Sequence, residues 1–347
     1  MDTELAIASR TGASTRQAGA VRVQAPGRLH LGFLDPAATL GRRFGSLGLV
    51  IDGLETVVEL EHARTDAFVA APDAIAELTR ARTHVETLRR ATRCRTPLAL
   101  HIRRALPAHA GLGSGTQLAL AVGRAFCTLF DVAMTSSQIA GLTGRGQRSG
   151  VGIAGFDVGG LLLDGGPRSD GTPAALLSRI ELPAAWRVLL VFDPRARGLS
   201  GAEEKAALAT LPPLPRETSA EICHEVLMRL LPGAAGAEFA PFAIGLTRMQ
   251  RLLGQHFAPA QQGRCFTSPA VARLIEWIAS HAPSAVGQSS WGPTGFAILP
   301  SAQEAEVIVA AARLAGVVEA GLTLKVVAAR NHGATITSLP GVDEGSG

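Results

Sequence analysis

The sequence contains no tyrosine, and aromatic residues make up only 4% of its 347 positions. That scarcity removes the stacking platform on which single-stranded nucleic acids are held. Cysteine is also sparse. Cys94, Cys127, Cys223 and Cys265 lie far apart and form no CxxC pair, which argues against a structural zinc site or a disulfide framework and for reduced thiols in a cytoplasmic protein. No long apolar run is present: the most hydrophobic helical stretch, residues 118–130, is interrupted by Arg124 and is too short to span a bilayer. Residues 1–20 carry Asp2 and Glu4 without an apolar segment and read as a flexible leader rather than a signal peptide. A strong charge of one sign is missing too. The formal net charge is +4, and the arginines are scattered without the basic block that tracks a nucleic-acid backbone. Neither nucleic acid nor membrane is expected as a partner, and a small anionic substrate fits the mild positive balance.

What is present describes a globular protein: 47% hydrophobic and 18% charged residues, in a chain long enough for two domains. Residues 21–33 and 47–62 alternate and are rich in β-branched side chains, as paired strands are. A helical segment follows at 73–92, a strand at 97–106, a glycine turn, a long apolar helix, and strands at 159–163 and 186–192. Beyond Pro194 the texture changes to Ala/Leu-rich helices punctuated by proline, with later strands at 295–300 and 323–329 flanking a helix at 301–315. The expected organisation is a leader at 1–20, a first domain at 21–195, a second at 196–340 and a flexible tail at 341–347. Strands and helices mixed without regular βαβ alternation place both halves in the α+β class.

The glycine turn is the most informative stretch. Gly111, Gly113 and Gly115 relieve steric limits on the backbone, and Ser114 or Thr116 can cap the helix that opens there. Leu118, Val122, Phe126 and Phe130 then recur every fourth residue, the stripe of a buried helix. Such a loop aims free N–H groups and the positive end of a helix at one spot, which suits phosphate or pyrophosphate. It is neither a P-loop nor a dinucleotide fingerprint, and a tight turn with no ligand satisfies the same string.

Residues 107–116, PAHAGLGSGT, resemble the phosphate loop of the GHMP superfamily (galactokinase, homoserine kinase, mevalonate kinase and phosphomevalonate kinase), whose usual pattern is Pro-x-x-x-Gly-Leu-Gly-Ser-Ser. SGVGIAGFDVGG at 149–160 and GQSSWGPTGFAIL at 287–299 agree in order and distance, and the resemblance spans roughly residues 21–336. It implies a GHMP-kinase-like two-domain fold, with an N-terminal left-handed βαβ-type domain and a C-terminal ferredoxin-like α/β sandwich. Three departures speak against kinase chemistry. Gly115 replaces the second serine of the loop, Gly152 stands where many of these kinases carry an acid, and the N-terminal segment APGRLHLGFLD lacks their lysine.

RLHLGFLD (28–35), FGSLGLVID (44–52), GLGSGTQ (111–117), GRGQRSGVGIAGFDVGG (144–160), GLSGAEE (198–204) and SSWGPTGFA (289–297) resemble a different branch, the β-ribofuranosylaminobenzene 5′-phosphate synthases of methanopterin biosynthesis. The resemblance implies condensation of p-aminobenzoate with phosphoribosyl pyrophosphate, with release of CO2 and pyrophosphate, by a cytoplasmic homodimer. Mg2+ is the expected cofactor, with no ATP and no organic cofactor. Gly111, Leu112, Gly113, Ser114, Gly115, Thr116 and Gln117 would then receive phosphate. Arg28, Arg145 and Arg148 are candidate clamps, because guanidinium pairs bidentately with phosphate or carboxylate; any one of them also reads as a solvated surface charge. His30, alternating with Leu29 and Leu31, either faces the site or is a structural histidine. Asp35 and Asp157 are candidates for Mg2+ or the ribose hydroxyls, with turn capping or salt bridging as the alternative. Ser289, Ser290 and Trp291 form a loop whose tryptophan could stack on an aminobenzoate ring or simply be buried between domains. Ser200 and Glu203 read as a capping box. A GHMP kinase built around Asp157, and a non-catalytic ligand sensor, remain as rival readings.

Overall fold

Two long antiparallel strands, β1 (Ala20–Asp35) and β2 (Phe44–His62), form the spine of the first sheet. The computed structural model describes residues 19–198, 206–207 and 209–340. Nearly all of the expected leader, the Ser200/Glu203 capping box and the tail at 341–347 lie outside these residues. Around the spine come β3 (Ala67–Ala70), β4 (Leu98–Arg104), β5 (Leu161–Asp164) and β6 (Leu176–Ile180). The second sheet holds β7 (Arg187–Phe192), β8 (Ala285–Gln288), β9 (Gly295–Leu299) and β10 (Thr323–Ala328), and β11 (Thr335–Leu339) returns to pair with β1. The first sheet runs β11-β1-β2-β4-β3, with β5 on β2 and β6 on β5; the second runs β10-β7-β9-β8.

The helices are α1 (Leu78–Thr92), α2 (Ser114–Leu129), α3 (Ser136–Leu142) and α4 (Val151–Val158) in the first half. In the second half they are α5 (Arg216–Glu225), α6 (Leu231–Ala235), α7 (Phe239–Phe257), α8 (Pro269–His281) and α9 (Ala302–Leu314). Among the described residues no helix is long and apolar enough to cross a membrane. Among the described residues three large cores lie between the layers. Val21, Val23 and Ala25 of β1 pack with Leu88 of α1 and Phe126 of α2. Leu29 and Leu31 pack with Val188 and Leu190 of β7 and Phe242 and Leu246 of α7. Leu189 and Val191, on the other face of β7, meet Leu274 and Ile278 of α8 and Ile308 of α9.

This layering is α+β as expected, but the domain boundary differs. The expected limit near residue 195 assigns β7 to the first domain, whereas β7 is an inner strand of the second sheet. Its residues 188–191 are buried on both faces, and a strand covered on both sides carries no alternation to say which sheet it joins. The second sheet follows βαββαβ succession with its four strands ordered fourth, first, third, second, which is a ferredoxin-like arrangement. Asn331 closes the structure by donating to and accepting from the Leu182 backbone at 2.9 and 3.0 Å.

One irregularity in β1 matters most for the site. Its pairing with β2 shifts register between Pro26 and Arg28. Before the shift, odd-numbered residues face the α1–α2 core; after it, Leu29 and Leu31 face the second core instead. A bulge re-aims every later side chain of its strand, and here it turns Arg28 and His30 away from the second core.

Candidate active site

The string Gly111-Leu-Gly-Ser-Gly115 is explained position by position by what approaches it. A Cβ on Gly111 would stand 2.2 Å from the Ser289 carbonyl oxygen, one on Gly113 3.1 Å from Arg28 Cζ, and one on Gly115 3.2 Å from Arg145 Nη1. The glycine loop is therefore pressed against the 289–292 loop and bracketed by two guanidinium groups. Gly113 also takes φ +80°, which glycine adopts without strain.

Gly113 is the N-cap of α2, and no side chain caps the helix. The expectation that Ser114 or Thr116 would do so is not met, because both already lie inside its first turn. The first N–H groups of a helix have no intrahelical acceptor, and the macrodipole adds about half a positive charge there. An uncapped terminus beside two arginines is arranged for an anion.

Arg28 donates through Nη1 to the Gly111 carbonyl at 2.8 Å, while its backbone N–H donates to the Leu112 carbonyl at 3.1 Å. Ser289 ties the second loop to both elements: its hydroxyl donates to the Gly111 carbonyl at 2.7 Å and accepts from the His30 N–H at 3.0 Å. Ser290, at φ +54°, donates its N–H to the His30 carbonyl at 3.0 Å. Trp291 is 4% exposed, tilted against Phe257 with centroids 4.6 Å apart.

Arg145 has a buried Nε with no hydrogen-bond partner among the described residues. Burial, then the nearby Arg80, push its pKa down, with Glu77 partly offsetting them. The guanidinium is only partly buried, and an anion at the helix terminus would give it a partner. Its neighbour His84 is pushed down to about 4, first by burial and then by Arg145 and Arg80, and its buried Nε2 lacks a partner among the described residues. His30 is 4% exposed and pushed down to about 3, first by burial and then by Arg28 and Arg148. Arg148 is thus close enough to His30 to act on its charge. His30 Nε2 has no partner among the described residues, and the ring meets Phe33 edge-on at 4.7 Å.

The two aspartates are engaged elsewhere. Asp35 accepts from the N–H of Leu40 at 2.7 Å and of Ala37 at 3.3 Å, and from the hydroxyls of Thr39 and Ser219. Burial pushes its pKa up, but the bonds from Leu40, Thr39 and Ala37 outweigh this and hold it low. It is an ionised turn-capping carboxylate with its lone pairs used. Asp157 is exposed at the end of α4 and accepts from the Ser136 hydroxyl at 2.5 Å; Arg124 donates to that same hydroxyl at 3.1 Å. Arg124 leaves α2 ten residues past Ser114, about 15 Å along the helix. The structure therefore does not bring Asp157 to the glycine loop, and both aspartates are corrected to structural roles. Among the described residues no group of three or more His, Cys, Asp or Glu is arranged to hold a metal ion.

Gly152, by contrast, does lie against the loop. Its carbonyl accepts from Gln117 Nε2 at 2.9 Å, and a Cβ there would stand 3.2 Å from Thr116 Cγ2. Gln117 is fully buried, and its Oε1 has no partner among the described residues.

The sequence reading missed Asp164. It is fully buried and accepts from the N–H groups of Ser46, Gly150, Val151 and Gly166 and from the Ser149 hydroxyl, at 2.7–3.2 Å. Burial raises its pKa despite these bonds. It anchors the start of α4 and with it the segment carrying Arg145 and Arg148. Its only sequence signal is an acid ending the apolar run LLLD before two glycines.

Residues 78–165 match the model of the GHMP kinases N terminal domain, and residues 237–317 match that of the GHMP kinases C terminal domain. The chain is 33% identical over 293 residues to a β-ribofuranosylphenol 5′-phosphate synthase of Archaeoglobus fulgidus, covering 81% of this chain and 88% of that one. The Methanocaldococcus jannaschii protein of the same name is 29% identical, covering 79% and 88%. Among solved structures, homoserine kinase from Cytophaga hutchinsonii superposes with a TM-score of 0.66 at 15% identity, over 94% of this chain and 100% of that one. Mevalonate diphosphate decarboxylase from Staphylococcus aureus gives 0.64 at 13%, over 92% and 98%. At such identities the structural likeness establishes the fold alone.

Proposed function

Because the chain belongs to the β-ribofuranosylphenol 5′-phosphate synthase family, we propose that it is a decarboxylating pentosyltransferase joining p-aminobenzoate to phosphoribosyl pyrophosphate. The observation that carries this reading is the glycine loop bracketed by Arg28 and Arg145. Gly115 has exchanged the kinase hydroxyl for room that a guanidinium fills. Gly152 has no carboxylate where a phosphoryl-transfer enzyme needs a base or orienting group. A site with that much positive charge and no base suits a leaving pyrophosphate better than an activated hydroxyl.

As the bond from C1 of the ribose to the pyrophosphate oxygen breaks, its electron pair leaves with the pyrophosphate and C1 becomes oxocarbenium-like. The N–H groups at the start of α2, with Arg145 and Arg28, stabilise the developing negative charge. The ring carbon bearing the carboxylate, made electron-rich by the para amino group, attacks C1 from the opposite face and gives the β-anomer. The electrons of the bond to the carboxyl carbon return to the ring as CO2 departs. No proton, redox partner or covalent enzyme intermediate is needed. Mg2+ belongs in this reading as a counter-ion carried by the donor's phosphates, whose oxygens suit it. A cytoplasmic homodimer remains part of the same proposal.

A second reading of the acceptor has its own support. The curated relatives are named for a phenol product, which favours 4-hydroxybenzoate over p-aminobenzoate; the two differ only in the para donor. Incubating purified protein with phosphoribosyl pyrophosphate, Mg2+ and each carboxyl-labelled benzoate in turn, without ATP, tests both. Labelled CO2 with a matching C-riboside from either benzoate supports the transferase and identifies the acceptor. No release from folded protein that binds the donor would sink it.

A further inference from the structure

We propose that a cavity beside His30 is the acceptor site, a pocket for the ring of a para-substituted aromatic carboxylate that is reached from the side opposite the glycine loop. The inference rests on the transferase reading but is tested apart from it. The cavity has a volume of about 560 Å³ and lies between β1, α7, α8 and the 288–291 segment, within the range of clefts that enclose small organic ligands.

Its walls gather residues that are sparse in this chain. The sequence holds twelve Phe, three Trp and no Tyr, yet Phe33, Phe257, Phe266 and Trp291 all line this one cavity. Aromatic faces and edges are what a flat conjugated ring packs against.

The polar lining is neutral and already satisfied. Gln288 Nε2 donates to Gln261 Oε1 at 2.9 Å and to the Ser290 carbonyl at 3.0 Å, and the Gln288 N–H donates to Gln250 Oε1 at 2.9 Å. The charged lining residues, Arg251 and Glu276, are both exposed, at the outer mouth. The body of the cavity therefore offers nothing to a phosphate and much to an uncharged ring.

Its inner end is different. His30 lines it with Nε2 lacking a partner among the described residues; burial, and then nearby Arg28 and Arg148, hold that ring uncharged. A ligand with an apolar body and an anionic head matches this gradient, head inward. None of the glycine-loop residues 111–117 lines the cavity. His30 and the 289–290 segment, bonded to one another, form its border on the side of that loop. Donor and acceptor thus approach from opposite sides, and the carboxylate-bearing carbon meets C1 at His30, with the para group toward the mouth.

Cys265 is exposed and lines the cavity, which gives a readout that requires no variant. N-ethylmaleimide modification of Cys265 is followed by peptide-resolved mass spectrometry with and without saturating p-aminobenzoate or 4-hydroxybenzoate, with Cys94 as internal control. The expected result is at least fivefold slower labelling at Cys265 and no change at Cys94. Ala279→Trp, at an exposed position on the lining, is expected to raise the acceptor KM at least tenfold and leave the KM for phosphoribosyl pyrophosphate within twofold. Unprotected Cys265 together with an unchanged acceptor KM, in an enzyme that makes the C-riboside, overturns the pocket and leaves the reaction standing. Protection of Cys265 without turnover of either benzoate supports the pocket and overturns the reaction.

Discussion

Lowering the pH from 7.5 to 5 is expected to destabilise the protein through His30, by an amount that can be worked out. The imidazole titrates near 6.5 when unfolded and near 3 when buried behind Arg28 and Arg148. Between these values the unfolded chain binds a proton that the folded one does not, so stability rises with pH across that window. The His30 contribution is intact above pH 6.5 and is lost as pH falls toward 3, at about 1.4 kcal/mol per unit. At pH 5 the loss from this residue alone is ~2 kcal/mol, a sizeable share of the 5–15 kcal/mol typical of a folded domain. His84, held near 4, adds a second proton of the same sign, so the wild-type slope alone does not isolate His30. The difference between wild type and His30→Gln does. Urea denaturation at pH 7.5, 6 and 5 should give a stability–pH curve for the variant that is flatter by about one proton. Parallel curves would mean that His30 is not held neutral in the fold, and the electrostatic account of the site would fail with it.

Gly115→Ser restores the kinase hydroxyl but sets a Cβ 3.2 Å from Arg145 Nη1. The fold should tolerate it, with a few tenths of a kcal/mol gained in helix propensity, while loss of a charge-assisted contact of about 1.5–3 kcal/mol weakens phosphoribosyl pyrophosphate binding roughly 10- to 100-fold by calorimetry. An unchanged Kd would separate Arg145 from the donor. Asp157→Asn keeps a polar partner for Ser136 and is expected to leave kcat within about twofold; a hundredfold loss would return Asp157 to catalysis and revive the kinase reading. Ser289→Ala removes the hydroxyl that joins Gly111 to His30. It should cost ~2 kcal/mol in urea denaturation, about 1 kcal/mol for each buried bond, and raise the KM for the pyrophosphate donor.

Much of the fold was legible because the relevant signals are local. The β-branched alternation of β1 and β2 and the four-residue stripe of α2 emerge directly from residues 21–62 and 118–130. The boundary was not, since β7 is buried on both faces and carries no period, and β11 is a short strand whose place depends on a partner more than 300 residues earlier. In the site, Gly111, Gly113, Gly115, Arg28 and Arg145 could be named from the string, but their pairing could not. Which guanidinium lies over which glycine depends on a register shift in β1 and on Asp164 anchoring α4, and neither leaves a motif. Asp35 and Asp157 were overvalued for the converse reason: an acid in a motif looks chemical until its hydrogen-bond partners are counted.

The two glycine substitutions are better understood as one coupled change than as separate losses. A serine at 115 would displace the Arg145 guanidinium, and a side chain at 152 would press on Thr116 in the first turn of α2. Both glycines therefore keep clear the space around the helix terminus, one for a cation and one for the helix itself. A kinase loop needs a hydroxyl and a nearby carboxylate because its acceptor must be deprotonated and its metal held. An acceptor that attacks through carbon and loses CO2 needs neither, and a carboxylate at 152 would repel the leaving pyrophosphate. Under the proposed reaction, replacing Gly152 by Asp should therefore slow cleavage of the C1–pyrophosphate bond without creating ATP-dependent transfer, and appearance of kinase activity in that variant would refute the coupling.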